Sequence, residues 1–167
     1  MDAVASIAYP EDGGWRSRGL GDSVNASNVS RKKLGDCDFQ HPEDRVVIAF
    51  EAHAGVLSDV YFLAHLQSLR RVLPIRVEEW EGIADPNEWK AKIVFVAHDI
   101  TVSPELAGPL HDPSGAIIEF EFLKFGEFVQ ADAAGLVDAF AHHVHAPMNE
   151  RRTPDVVRER YLELYNG

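Results

Sequence analysis

Glu51 and His53 follow one short apolar run, Val46 to Phe50, and His98 with Asp99 follow another, Ile93 to Ala97. If the two runs are parallel neighbouring strands, their carboxyl ends share one sheet edge, the usual place for ligands in α/β proteins. The four side chains would then converge, with Ser58 and Asp59 close by at a helix start. Imidazole and carboxylate groups so gathered can ligate a divalent metal or divide the roles of acid and base. The plainer alternative is that each simply meets solvent at a strand end.

A second grouping, Asp138, His142 and His145, has spacings of four and three. On a helix these share one face and come within reach of a shared metal ion, although histidines near a helix end also complement its dipole. A third grouping is acidic. Glu119 and Glu121 stand two apart on one strand face, and Glu79 with Glu81 would occupy the matching face of a neighbouring strand. Paired carboxylates serve glycoside hydrolysis at particular separations, and equally offer a cationic protein partner a complementary surface. On an antiparallel sheet they can also be no more than the wet side.

The elements that must position these groups begin with Arg45–Phe50, a β-branched run read as a strand that Gly55 breaks. From Val56 the residues Phe62, Leu66, Leu69 and Leu73 recur at helical spacing and demand a sheet to cover. Pro74 is expected to end that helix, leaving Ile75–Val77 to open a second strand. His65 adjoins the apolar stripe, as a hydrogen-bonded core histidine would. Ile93–Ala97 reads as a central strand covered on both faces, and Ile117–Phe122 alternates strictly, with Ile118, Phe120 and Phe122 on one side. Residues 101–115 form a loop rich in proline, ending in the turn signature Asp112-Pro113-Ser114-Gly115. Asp132 is placed to cap a helix with Ala133, Leu136, Val137, Phe140 and Val144 inward, and Thr153-Pro154 to start the last one.

The order β-α-β-β-β-α-α closes most simply as an α+β fold. That is a two-layer sandwich of ferredoxin-like style, with a mixed sheet of four or five strands and helices on one face. A small three-layer doubly wound sheet is the alternative. Residues 1–44, rich in Gly, Ser, Asn and Asp, read as a flexible or loosely packed arm, and residues 45–167 as one domain. Trp15 is the arm's one large anchor and is expected to dock on its own domain.

The chain has 167 residues and a formal net charge of -11. Such a surplus of acids disfavours nucleic acid and anionic membranes, which need cations to displace their counterions, and makes a basic protein the easiest macromolecular partner. One cysteine, Cys37, excludes a disulfide framework and sits between Asp36 and Asp38, which disfavour its thiolate. With neither a membrane-length apolar run nor a secretory pattern, a cytoplasmic protein is expected. Phosphate-loop, nucleophile-elbow and zinc-protease motifs are all missing. These features together suggest an acidic, noncatalytic interaction or regulatory module. It would need no cofactor and would bind a protein through the carboxylate-rich face or the 101–115 loop. The alternative is a small metal-assisted, hydrolase-like enzyme, using a divalent metal at one of the histidine groupings.

Overall fold

The computed structural model describes residues 1–22, 27–128, 138–139, 141–151 and 153–166, the side chains of residues 164–166 excepted. The chain divides into two compact units, Tyr9–Gln130 and the pair of segments Met1–Ala8 with Ala131–Gly167. The boundary expected at residue 44 therefore falls inside a compact unit rather than between two.

In the larger unit, Arg16–Arg18 (β1), Cys37–His41 (β2), Val46–Leu57 (β3), Lys90–Ile100 (β4), Leu110–His111 (β5) and Ile117–Lys124 (β6) form one six-stranded sheet. Its order is β1-β2-β3-β4-β6-β5. The three long strands β3, β4 and β6 are parallel, and the remaining pairings are antiparallel. The fold is thus α+β with a mixed sheet, as expected, but with more strands than the four or five foreseen.

Two of the additional strands come from the supposed arm. Leu34, Cys37 and Phe39 are buried, and Trp15 docks edge-on against Tyr9 and His41, with centroids 4.8 and 5.2 Å apart. A five-residue strand framed by Gly and Asp is too short for its alternation to stand out from turn residues. β3 also outruns its expected end. Gly55, at φ +135°, takes up a register shift between His53 and Val56, so the glycine bends the strand and does not stop it.

Three helices accompany this sheet: α2 (Asn28–Arg31), α3 (Asp59–Glu81) and α4 (Phe125–Phe128), with α1 (Asp2–Ala8) belonging to the smaller unit. α3 contains Pro74, and the strand expected at Ile75–Val77 is its fifth turn. A proline inside a helix costs about 3 kcal/mol. Beyond it, however, the helix buries Arg76, Val77 and Trp80, and each large apolar side chain so covered contributes roughly 1.5–3 kcal/mol. Packing outweighs propensity. The β-α-β crossover therefore runs β3-α3-β4, with Val46 opposite Lys90 and Ala49 opposite Ile93.

α3 lies over the sheet face formed by Val47, Ala49, Ala91, Ile93, Phe95 and Ile118. On the opposite face Phe50 is buried against Phe39 and against Phe128 of α4, and Tyr9 packs beside both strands' rings. The β4–β6 connection carries Val102, Leu106 and Leu110 against the α3-side core, so the proline-rich loop is a strap over apolar surface. Its expected turn is present, with the Gly115 N–H donating to the Asp112 carbonyl at 2.9 Å.

In the smaller unit, α1 buries Ala3 and Ala5. A π-helical turn spans Ala141–His145, a short helix spans Ala146–Met148, and a longer one runs Asp155–Asn166, one residue later than Pro154 suggested. Thr153 Oγ1 donates to the Pro147 carbonyl at 2.6 Å and holds the turn between the two helices. Val157 of the last helix is exposed. Asp132 and the residues Ala133, Leu136, Val137 and Phe140 of the expected capped helix lie outside the described residues. So do the side chains of Leu164 and Tyr165 in the last helix.

Candidate functional site

The parallel pairing that the first grouping required exists, yet its residues do not converge. His53 stands opposite Ala97, so Glu51 and His53 project to the α3 face while His98, one residue on, projects to the other. His53 packs against the ring of Tyr61, with centroids 4.3 Å apart. Asp99 meets Lys124 Nζ at 2.7 Å, and that hydrogen bond holds its carboxyl below the usual carboxylate range. Asp59 accepts from both the N–H and the hydroxyl of Ser103, at 2.7 and 3.0 Å, which ties the strap to the start of α3.

Glu51, 7% exposed, belongs to a different assembly. Its Oε1 lies 3.0 Å from His65 Nδ1, and its Oε2 accepts from Asn28 Nδ2 at 3.2 Å. The bond to Glu51 raises the pKa of His65, partly opposed by burial. Asp36 alongside is also raised, by burial first and then by the Glu51 charge, although its Oδ2 accepts from the Ala52 N–H at 2.9 Å. A carboxylate on Nδ1 is how many catalytic histidines are oriented. Here the adjoining void is about 10 Å³, bounded by Ser68, Leu69 and Phe95, and holds at most a water. His65 is hydrogen-bonded, as its position beside the stripe suggested, but with 28% of its side chain exposed it borders the core and is not inside it.

In the smaller unit the second grouping is reshaped by backbone. His142 and His145 fall within the π-helical turn, where the spacing that aligns i and i+3 on an α-helix does not hold. His142 packs against His143, whose pKa is lowered by burial and then by His142. His145 Nδ1 lies 3.1 Å from the Tyr161 hydroxyl. Asp138 is exposed. Among the described residues, no three His, Cys, Asp or Glu side chains are grouped so as to hold a metal ion.

The acidic grouping divides. Glu79 and Glu81 are on α3, not on a strand: the extension of the helix past Pro74 carries them away from the sheet surface. Glu79 Oε2 meets Arg18 at 3.1 Å, and it lies 3.3 Å from Arg76 Nε without the alignment of a hydrogen bond. Glu119 and Glu121 do share a face of β6, opposite Lys92 and Val94 of β4. Lys92 Nζ meets Glu121 at 2.9 Å, which raises the lysine pKa, and Glu119 adds to the effect from further off. Glu119 is exposed and has no ion-pair partner among the described residues. It also stands at the wall of a cavity of about 540 Å³, with Val46, Ile48, Trp89, Lys92 and Ile117.

Two features escape sequence reasoning. One is a buried ion cluster: Arg76 is wholly inaccessible and donates to Asp38 at 2.9 Å, to Gln40 at 3.1 Å and to the Lys32 carbonyl at 3.2 Å. The signal existed, since Arg76 continues the Phe62-Leu66-Leu69-Leu73 stripe at a spacing of three. Ending the helix at Pro74 hid it. The other is the outer edge of β6, which β5 pairs only at Ile117 and Ile118. Compared with known proteins, the chain matches no family model and no curated protein.

Proposed function

We propose that the chain is a noncatalytic recognition module that binds a basic protein partner at the Glu119/Glu121 surface of β6. The observation that carries this reading is the contrast among the acids. Asp38, Glu51, Glu79 and Asp99 each engage a histidine, arginine or lysine of this chain, whereas Glu119 stays exposed and lacks such a partner among the described residues. An unsatisfied carboxylate beside an apolar cavity wall offers charge complementarity and contact area together. The net charge of -11 would steer a cationic partner towards the molecule.

The test is paired capture. Wild-type chain and Glu119→Lys/Glu121→Lys are immobilised at equal density and exposed to a mixture of basic and acidic proteins at about 0.15 M salt. Basic proteins retained by the wild type should be lost from the variant, and equal retention by both would defeat the proposal. Unchanged thermal unfolding of the variant shows that the loss is one of recognition.

A further inference from the structure

The open edge of β6 suggests how such a partner is held. The antiparallel β5–β6 pair sets Leu110 opposite Ile118, and the Asp112 N–H donates to the Ala116 carbonyl at 2.9 Å. The backbone groups of even-numbered β6 residues therefore point away from β4, because N–H and C=O alternate sides along a strand. The register with β4 is unbroken from Ile118 to Lys124, so the alternation carries through Phe120 and Phe122 to Lys124. The Lys124 N–H is taken by the Glu127 carboxylate at 2.8 Å. Nothing among the described residues pairs the outward N–H and C=O of Phe120 and Phe122.

β5 spans only Leu110–His111 and begins directly after Pro109, so its pairing reaches no further along β6 than Ile118. The edge is flanked unequally. On one face stand Glu119 and Glu121; on the other, Phe120 and Phe122 are partly open while their rings pack on Phe62, 5.3 and 5.5 Å between centroids.

We infer that β6 accepts an added strand from the partner: an extended segment, antiparallel to β6, whose alternate residues are cationic and apolar. This rests on the recognition reading above and specifies its geometry. Backbone pairing to Phe120 and Phe122 supplies affinity, and the alternation supplies choice. Cationic residues meet Glu119 and Glu121 while apolar ones extend the Phe120/Phe122 shelf. A second copy of this chain is the wrong occupant. Antiparallel self-pairing centred on Phe120 sets Glu119 against Glu121, and centred on Glu121 it sets that residue against itself; like charges directly opposite are unfavourable.

The experiment uses the full chain and a capped six-residue peptide of alternating lysine and valine, with an analogue N-methylated at the amides that would face the edge. The peptide should slow hydrogen exchange at the Phe120 and Phe122 amides by about tenfold or more, and N-methylation should weaken binding by about tenfold. Binding that survives N-methylation, leaves those amides unprotected and disappears in Glu119→Lys/Glu121→Lys would overturn strand addition while leaving acidic recognition in place. Protection that is indifferent to the charge reversal would instead overturn the basic occupant and, with it, the recognition reading. Protection that grows with protein concentration without peptide would make the occupant a second copy and sink the inference. So would the absence of any binding.

Discussion

The two ends of the sheet use the same residue types to opposite effect. At the β1–β2 end, Arg18, Arg76, Asp38 and Glu79 are locked to one another, with the Arg76–Asp38 pair fully buried. At the β6 end, Lys92 and Glu121 form a pair that is 41% exposed on each side, and Glu119 is left over. Burial makes the difference. A charge withdrawn from water must find its counter-charge within the fold, whereas one left at the surface can wait for a partner. The first arrangement makes the structure specific. The second is cheap to leave open, which is what a docking edge requires.

The comparison breaks first at Asp38. Asp38→Ala strands the Arg76 guanidinium, and the loss should be about 3–5 kcal/mol by chemical denaturation, among the largest that a polar substitution can give here. Joint replacement, Asp38→Leu with Arg76→Met, should recover most of it, since the buried charge goes along with its partner. A single-variant loss below about 1 kcal/mol would mean that water reaches the pair.

His65 lies between the two ends and sharpens the contrast by its response to pH. Its pKa is raised from 6.5, so the folded state holds the imidazole proton more tightly than the unfolded chain does. That contribution is complete below the unfolded value and is lost as pH climbs through the folded one. Asp36, also raised, acts in the same direction at lower pH. Stability should therefore fall as pH rises above about 6.5, and His65→Gln should flatten the fall while costing about 1 kcal/mol at the acid end. An unaltered slope in the variant would place the titrating group elsewhere.

The parts legible in the sequence are those where one physical signal acts alone. Ile93–Ala97 is apolar throughout because both of its faces are covered, and Ile117–Phe122 alternates because one face is wet at Glu119. The apolar stripe of α3 identified the helix, and the position of His65 beside that stripe pointed to its hydrogen bond. Legibility ends where two signals compete. Pro74 argues for an end and Val77 and Trp80 for continuation, and only the burial available in three dimensions decides between them. The convergence of His53 with His98 failed for a related reason, because parallel pairing was inferred correctly while the one-residue offset that turns His98 to the opposite face depends on register. The open stretch of β6 could not be read from β6 alone, since it depends on how far β5 runs, and β5 spans only Leu110–His111.

The smallest expected effect tests the cheapness of the open end directly. Lys124 and Asp99 meet at 2.7 Å, the lysine raised and the carboxyl lowered by their hydrogen bond, yet both side chains are about half exposed. Asp99 favours the folded state above the unfolded carboxylate value and loses that preference as pH falls through its lower folded value. Water and salt screen such a pair, and holding two side chains in one geometry costs entropy. Lys124→Ala should accordingly leave the unfolding midpoint unmoved near neutral pH and at any ionic strength. A clear drop that salt abolishes would show that charges at this end are held as tightly as those around Arg76, and the distinction between a structural end and a docking end would then be lost.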